Sequence, residues 1–154
     1  MKFEIVAVGS MNNRGLGEAL DEYVERIQRY VPAVVREVSA GNSSRQVDRK
    51  RQEADALRGA ASEDGVWVAL DAAGKTVSSP KIAEWIDGQM VSGVRYVSFF
   101  IGGAYGLDPE FRRQDCNWSL SLSSMTLAHE LARVVLAEQL YRSMTIIRGE
   151  PYHK

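Results

Sequence analysis

The sequence predicts an α/β protein in which a mostly parallel sheet is covered by helices on both faces. Two observations support this class. Short apolar runs alternate along the chain with longer segments whose apolar residues recur at helical spacing. Several short runs are apolar at nearly every position, as in parallel strands that are buried on both faces. No repeat or low-complexity stretch interrupts the alternation, so we expect residues 1–154 to form one domain.

Five short apolar segments are predicted strands. The fourth is expected at the centre of the sheet because it is apolar at nearly every position. The fifth alternates apolar residues with serines. The predicted strands are Phe3–Val8, Val34–Val38, Val66–Leu70, Tyr96–Ile101 and Trp118–Leu122.

Five further segments are predicted helices. Ser79 and Pro80 indicate the start of the third, because serine caps helices and proline fits their first turn. The last long helix is predicted to end at Tyr141, before Thr145–Ile147 and a short polar tail. The predicted helices are Leu16–Tyr30, Val47–Ala61, the segment from Ser79 to Met90, a short segment opened by Asp108 and Pro109, and Leu127–Tyr141.

Composition limits the classes of function. The formal net charge of −1 disfavours a binder of RNA phosphates unless its basic groups are focused on one face. Cys116 is the single cysteine and forms no disulfide within the chain. The chain has only two histidines, His129 and His153, which are distant from each other, so no metal cluster is expected. The first apolar run is too short for a signal peptide, and no segment is long enough to cross a membrane. We therefore expect a cytoplasmic protein.

Open α/β sheets bind ligands at the carboxyl ends of their strands, which points to the loops Asp71–Ser79, Gly102–Asp108 and Ser121–Leu127. The first contains Gly74-Lys75-Thr76, as at the end of a phosphate-binding P-loop. That motif also needs a glycine where this chain has Ala69, so a plain turn is the better interpretation.

The other two loops leave alternatives open. Gly102 and Gly103 are adjacent, so the dinucleotide fingerprint is absent, and the glycines fit equally a close ligand approach and a tight turn. The loop from Ser121 offers hydroxyls, backbone amides and a methionine, which suit an adenosine-like ligand but also an ordinary loop before a helix. A thiol nucleophile formed by Cys116 and His129 has no further support, and Cys116 is predicted to be a core residue.

Four segments resemble the motifs of a known family, in the same order. The chain is similar to the bacterial methyltransferases that act on N3 of a pseudouridine in the large ribosomal subunit, which belong to the SPOUT class. The matching segments, with the family patterns, are Ile101–Leu107 (I-G-G-x-x-G-L), Ser123–His129 (S-x-M-T-x-x-H), Arg133–Arg142 (R-V-x-x-x-E-x-x-Y-R) and Arg148–Lys154 (R-G-x-x-Y-H-K), and Val6–Gly9 fits as well.

The resemblance implies a deep trefoil knot at the C-terminal end of the sheet, whose loops hold S-adenosylmethionine. It also implies a homodimer in which each tail completes the partner's site, acting on 23S ribosomal RNA in the assembled ribosome or large subunit. The residues that the resemblance assigns to the cofactor are Leu70, Gly103, Leu122, Ser123, Ser124, Met125, Thr126 and Leu127.

The resemblance places the chemistry in the C-terminal tail. His153, or a water that it holds, is the predicted base that removes the N3 proton, and Arg142 is the cation that stabilises the deprotonated ring. Tyr152 is assigned to stacking or positioning. Arg142 could instead only oppose the helix dipole, and Glu138 could form an interface ion pair. The rival functions are methylation of another RNA such as transfer RNA, ribosome binding without catalysis, and binding of a small nucleotide.

Overall fold

The computed structural model describes residues Met1–Lys154. Five strands and five helices alternate along the chain, as the sequence predicts. Their order is β1 (Lys2–Val8), α1 (Arg14–Gln28), β2 (Ala33–Val38), α2 (Gln46–Ala60), β3 (Val66–Thr76), α3 (Ser79–Val91), β4 (Tyr96–Ile101), α4 (Pro109–Gln114), β5 (Trp118–Ser121) and α5 (His129–Arg148).

The five strands form one sheet in the order β2-β1-β4-β3-β5, and every pair is parallel. Phe3 aligns with Ala33 of β2 on one side and with Val97 of β4 on the other. The prediction of a central β4 is confirmed. Because all strands run the same way, all of their carboxyl ends lie at one edge of the sheet, which we call the carboxyl edge.

Helices cover both faces of the sheet, and β1 contributes to both cores because successive side chains of a strand point to opposite faces. Phe3, Ile5 and Ala7 belong to a core formed with α1, α3 and α5. Val6 and Val8 belong to a smaller core formed with α2 and α4. The helix α5 packs between α1 and α3.

The third strand is longer than predicted. It continues past Leu70 to Thr76, so most of the predicted loop Asp71–Ser79 is strand. Leu120 of β5 aligns with both Leu70 and Lys75, because an irregularity inserts the residues between them. This segment lacks an apolar pattern, and its extended conformation depends on pairing with β5.

Two helix boundaries also differ from the prediction. The cap of α3 is Ser78, not Ser79, and its side chain makes no capping hydrogen bond. The last helix begins at His129 and ends at Arg148, seven residues after Tyr141. Its end is set by Gly149, which adopts a left-handed conformation with φ +69° that favours glycine. The β-branched run Thr145–Ile147 therefore lies inside the helix, where Thr145 is fully buried.

Candidate functional site

A cavity of about 540 Å³ opens at the carboxyl edge. Its wall comes from the ends of β3 and β4, from the segment between β5 and α5, and from the start of α5. All three loops chosen at the strand ends therefore contribute to one cavity. Its volume lies in the range of small-molecule and cofactor sites.

Glycines shape the loop that follows β4. A Cβ on Gly102 would lie 2.5 Å from the carbonyl carbon of Gly106, so only glycine fits where the loop folds back on itself. Gly106 has φ +73°, and its N–H donates to Gly103 at 3.0 Å. The loop is a tight turn and a cavity wall at once, so the two interpretations left open by the sequence are compatible.

Gly103 also packs closely against α2. A Cβ at this position would meet a carboxylate oxygen of Glu53 and a methyl of Val8, each at 3.1 Å. Glu53 is only 4% exposed, and its Oε1 accepts the N–H of Gly41 at 3.0 Å. This buried carboxylate links the loop after β2 to the loop Gly102–Asp108, which we call the glycine loop. The helical pattern of α2 did not indicate that Glu53 is buried.

Hydroxyls order the loop between β5 and α5. The Ser121 hydroxyl lies 3.1 Å from the carbonyl of Ala72 and 2.9 Å from that of Ser123. The Ser123 hydroxyl accepts the N–H of Met125 at 3.0 Å. Met125 is 74% exposed, and an exposed methionine beside a cavity supplies an adaptable apolar surface for a ligand.

Charged side chains at the cavity were not predicted. Asp71, at the end of the predicted third strand, forms an ion pair with Arg112 of α4, and both line the wall. Lys50 of α2 and His129, the first residue of α5, line it too. Lys50 lies on α2, and Arg112 lies four residues after the chosen loop Gly102–Asp108, so only the folded chain could reveal them.

Seven of the eight residues assigned to the cofactor line this cavity, namely Leu70, Gly103, Leu122, Ser123, Met125, Thr126 and Leu127. Ser124 is absent from the wall, although its two neighbours belong to it.

The start of α5 is fastened to the carboxyl edge by two charged residues. Glu130 accepts the N–H groups of Asn12 and Asn13, and these hydrogen bonds, that of Asn12 foremost, lower the pKa of Glu130. Arg133 is fully buried and donates to the carbonyls of Val8 and Gly9 at 3.0 and 2.7 Å. The sequence pattern of the last helix did not indicate this role of Arg133.

Arg133 also pairs with Glu37 of β2 at 2.8 Å, while its Nε has no hydrogen-bond partner. A buried guanidinium is costly unless it is well paired, so this side chain fixes α5 in one position against the ends of β1 and β2. The cavity wall at His129 and Ala132 lies on the same stretch of helix.

The three predicted catalytic residues form a separate cluster, which we call the tail cluster: Arg142, Tyr152 and His153. The guanidinium carbon of Arg142 lies 4.7 Å from the ring centre of Tyr152, and Arg142 Nη1 lies 3.4 Å from His153 Nδ1. Glu138 Oε1 accepts from Arg142 at 2.5 Å and from the Tyr152 hydroxyl at 3.1 Å. The tail is therefore docked on α5, not frayed.

The surroundings of Arg142 and Tyr152 in the tail cluster shift the pKa of each side chain upward. The hydrogen bond to Glu138 raises the pKa of Arg142, which stays a cation. Burial, followed by contacts with Tyr23 and Glu138, raises the pKa of Tyr152, so its hydroxyl stays neutral. Tyr152 is thus suited to holding a ring or a hydrogen bond and unsuited to acting as a base.

The tail cluster and the cavity lie at opposite ends of α5. His129 lines the cavity at the carboxyl edge, whereas Arg142 lies thirteen residues later, about 20 Å along the helix axis. Glu150 accepts from the hydroxyl of Tyr30, which precedes β2 and so lies at the opposite edge of the sheet. Within one chain the predicted base and cation do not reach the cavity.

The other sequence-based candidates play no visible part in the cavity. Cys116 packs half-buried against the smaller core, and burial raises the pKa of its thiol to about 12, so it is a poor nucleophile.

No three His, Cys, Asp or Glu side chains are grouped to hold a metal ion. None of the helices is both long and apolar enough to pass through a lipid bilayer.

Comparison with known proteins identifies the family. A family model described as "Predicted SPOUT methyltransferase" matches residues 1–153. The chain belongs to the SPOUT methyltransferase family.

Relatives of this SPOUT methyltransferase match along its whole length. A protein of Gemmatimonas aurantiaca named "Ribosomal RNA large subunit methyltransferase H" is 45% identical, with 100% of both chains covered. A protein of that name from Acetivibrio thermocellus is 38% identical, again with 100% of both covered. A third, from a Geobacter species, is 36% identical with 99% of both covered.

A solved structure shares the fold. The crystal structure of a methylase family protein from Neisseria gonorrhoeae superposes with a TM-score of 0.55 and covers 90% of this chain and 81% of that one. At 12% identity this likeness concerns the fold alone.

Proposed function

We propose that residues 1–154 form one catalytic unit that transfers a methyl group from S-adenosylmethionine to N3 of a pseudouridine in 23S ribosomal RNA, in the cytoplasm. The observation that carries the proposal is the cavity at the carboxyl edge, lined by the two motif loops of the family. The full-length relatives named for methylation of large-subunit ribosomal RNA support the substrate.

The residues at the cavity fit the methyl donor. Backbone groups and hydroxyls of Ser123 and Thr126 suit the polar rim of an adenosine, and Leu70, Leu122 and Leu127 suit its apolar faces. Asp71 is already engaged by Arg112 and by the N–H of Ala73 and orders the wall, whereas Lys50 is available to the donor's carboxylate. S-adenosylmethionine, when bound, supplies a methyl group that its sulfonium has already activated.

Catalysis then depends on the tail cluster. N3 of a uracil-type ring carries a proton and becomes nucleophilic only when that proton leaves. His153, or a water that it holds, takes the proton, and the fixed cation of Arg142 stabilises the ring that results. The neutral hydroxyl and ring of Tyr152 position the pseudouridine ring. Glu138 orients Arg142 and Tyr152 together.

A homodimer would bring the tail cluster of one chain to the cavity of the other. Leu131, Val134, Val135, Glu138 and Arg142 recur at spacings of three and four, so they share the outward face of α5, and Leu131 is 38% exposed. If two such faces pack antiparallel about a two-fold axis, the Arg142 end of one helix meets the His129 end of the other.

The path after β5 supports the proposed trefoil knot. β5 lies at one edge of the sheet, beside β3, yet α5 begins beside Gly9 at the end of β1. The chain from Ser121 to Ala128 therefore crosses the ends of β3 and β4, where the glycine loop departs toward α4. Knots are otherwise nearly absent from proteins, and this crossing is where one would form.

The test is transfer of labelled methyl groups from S-adenosylmethionine to ribosomes from a strain that lacks its own enzyme, followed by mapping of the modified base. We expect label at N3 of a large-subunit pseudouridine. Label on transfer RNA, or ribosome binding without transfer, would support one of the rival functions and overturn the proposal. Binding of a small nucleotide without either would overturn it too.

The residue assignment is tested in the same assay. Arg142→Ala and His153→Ala should each lower the rate of transfer by about 10²–10⁴-fold, because they remove a charge and a proton acceptor needed in the transition state. Both should bind S-adenosylmethionine as the wild type does, since neither residue lines the cavity. Unchanged rates would contradict the assignment.

A further inference from the structure

Cations are concentrated on the face formed by α2 and α4, beside the cavity. Lys50 and Arg51 of α2 and Arg113 of α4 line a depression of about 440 Å³, and no carboxylate forms an ion pair with any of them. Arg51 and Arg113 are exposed. Two carboxylates share the depression: Asp108 caps α4, and Glu110 accepts from Gln114. Both are therefore engaged locally, Arg113 donates only to the neutral carbonyl of Pro109, and the charges of Arg51 and Arg113 have no carboxylate partner.

These cations are not explained by the stability of α2. The residues from Arg45 to Arg51 hold four cations and one carboxylate, Asp48, in the cap and first two turns of the helix. The helix dipole makes this end positive and favours the carboxylate of Asp48 in the first turn, which pairs with Arg45. Lys50 and Arg51 follow in the second turn, beyond the reach of the dipole, and form no ion pair that would stabilise the helix. Cations that do not serve the local structure are a mark of a functional surface.

The depression is continuous with the cavity. Lys50 lines both. The Arg49 guanidinium carbon lies 5.6 Å from the ring centre of Tyr105, which is 47% exposed on the cavity wall. A polyanion that presents one nucleotide at the mouth of the cavity would therefore place its neighbouring nucleotides along α2.

We propose that this α2–α4 face binds the backbone phosphates of the ribosomal RNA that flank the target nucleotide. The inference rests on the proposed function, because it assumes that the target nucleotide reaches the methyl donor at the mouth of the cavity. It also explains how a chain with a net charge of −1 can bind RNA: its free cations are gathered on one face.

The test is equilibrium binding of the full-length protein to isolated large ribosomal subunits over a range of salt concentrations. The double variant Arg51→Gln/Arg113→Gln should bind on the order of tenfold more weakly at physiological salt. The slope of log affinity against log salt should fall by about 2, because each arginine removed leaves one phosphate without its cation. The single variants should each show half of the change in slope.

Two further variants guard against trivial explanations. Arg95→Gln removes an exposed cation at the opposite edge of the sheet and should leave the slope unchanged. Glu110→Gln removes a negative charge from the depression and should tighten binding, which a misfolded variant would not do.

The outcomes separate this proposal from the proposed function. A reduced slope in the double variant supports the surface even if the wild type transfers no methyl group. A slope equal to that of the wild type overturns the surface, even where methyl transfer to N3 is found.

Discussion

Arg133 positions the cavity wall although it does not line the cavity itself. Its guanidinium is buried where α5 meets the ends of β1 and β2, and it holds the part of α5 that walls the cavity. The family motif includes this arginine, but an amphipathic pattern places it on a face that should be apolar. Only the structure shows that the strand-end carbonyls and Glu37 satisfy its charge.

Arg133→Met should lower the free energy of unfolding by about 3 kcal/mol, because the carbonyls of Val8 and Gly9 lose this donor and Glu37 loses its ion-pair partner. Urea unfolding at one fixed protein concentration measures it. Arg14→Met is the control: that side chain is 92% exposed, and its removal should change stability by less than about 0.5 kcal/mol. Equal effects of the two substitutions would refute the anchoring role.

The docking of the tail should depend on pH through Tyr30. Burial, and then the hydrogen bond to Glu150, raises the pKa of Tyr30 from 10.0 to about 12. A raised pKa in the folded state stabilises the fold below pH 10, and this contribution is lost as the pH rises through about 12. Ultraviolet titration should show one tyrosinate forming near pH 12 that is absent in Tyr30→Phe. Its formation near pH 10 would contradict the docking contact.

At the scale of elements, the strongest local patterns were correctly predicted. Every strand and helix exists, and β4 is central because its apolar run is buried on both faces. The errors lie where partners far along the chain decide the structure. β3 continues past Asp71 only because β5 pairs with it, and α5 continues past Tyr141 because tertiary packing buries Ser143, Met144 and Thr145.

The pairing of β3 with β5 gives an element-level prediction. A Cβ on Gly74 would lie 2.9 Å from backbone atoms of Ser119 and Leu120, so Gly74→Ala should displace β5 and weaken methyl-donor binding. Gly88→Ala is the matched control, because a Cβ there has no neighbour within 4 Å and α3 should gain about 0.5–1 kcal/mol. Isothermal titration calorimetry measures the binding of S-adenosylmethionine by both variants, and urea unfolding measures their stability. Equal behaviour of the two would show that the close approach is unimportant.

At the scale of the whole molecule, the cavity and the tail cluster lie at the two ends of one helix. The cavity could be located from strand ends, because parallel sheets place all of these ends at one edge. Its Asp71–Arg112 pair and Lys50 could not, since they converge only through the packing of α2 and α4 against the sheet. The distance between the cavity and the tail cluster could not be predicted either, because it depends on the length of α5 in the folded protein.

Mixed dimers test whether the cavity of one chain works with the tail cluster of the other. Arg142→Ala disables the tail cluster, and Ala72→Trp fills the cavity from an exposed position on its wall. Each variant alone should be inactive. After the two are unfolded together and refolded as an equal mixture, about a quarter of the wild-type activity should return, because half of the dimers then hold one intact site. A mixture as inactive as its components would mean that each chain works alone.

The strand order also governs how the chain is made. β1 lies between β2 and β4, and its partner in β4 is ninety-four residues further along, as in Lys2 with Tyr96. At about 5–20 residues per second, translation needs about 5–20 s to produce that partner. During this interval one side of a strand as apolar as Phe3–Val8 has no permanent neighbour. Pairing with β2, which follows within one helix, covers the other side early, so the side that faces β4 is the one that must be shielded from aggregation until β4 has been made.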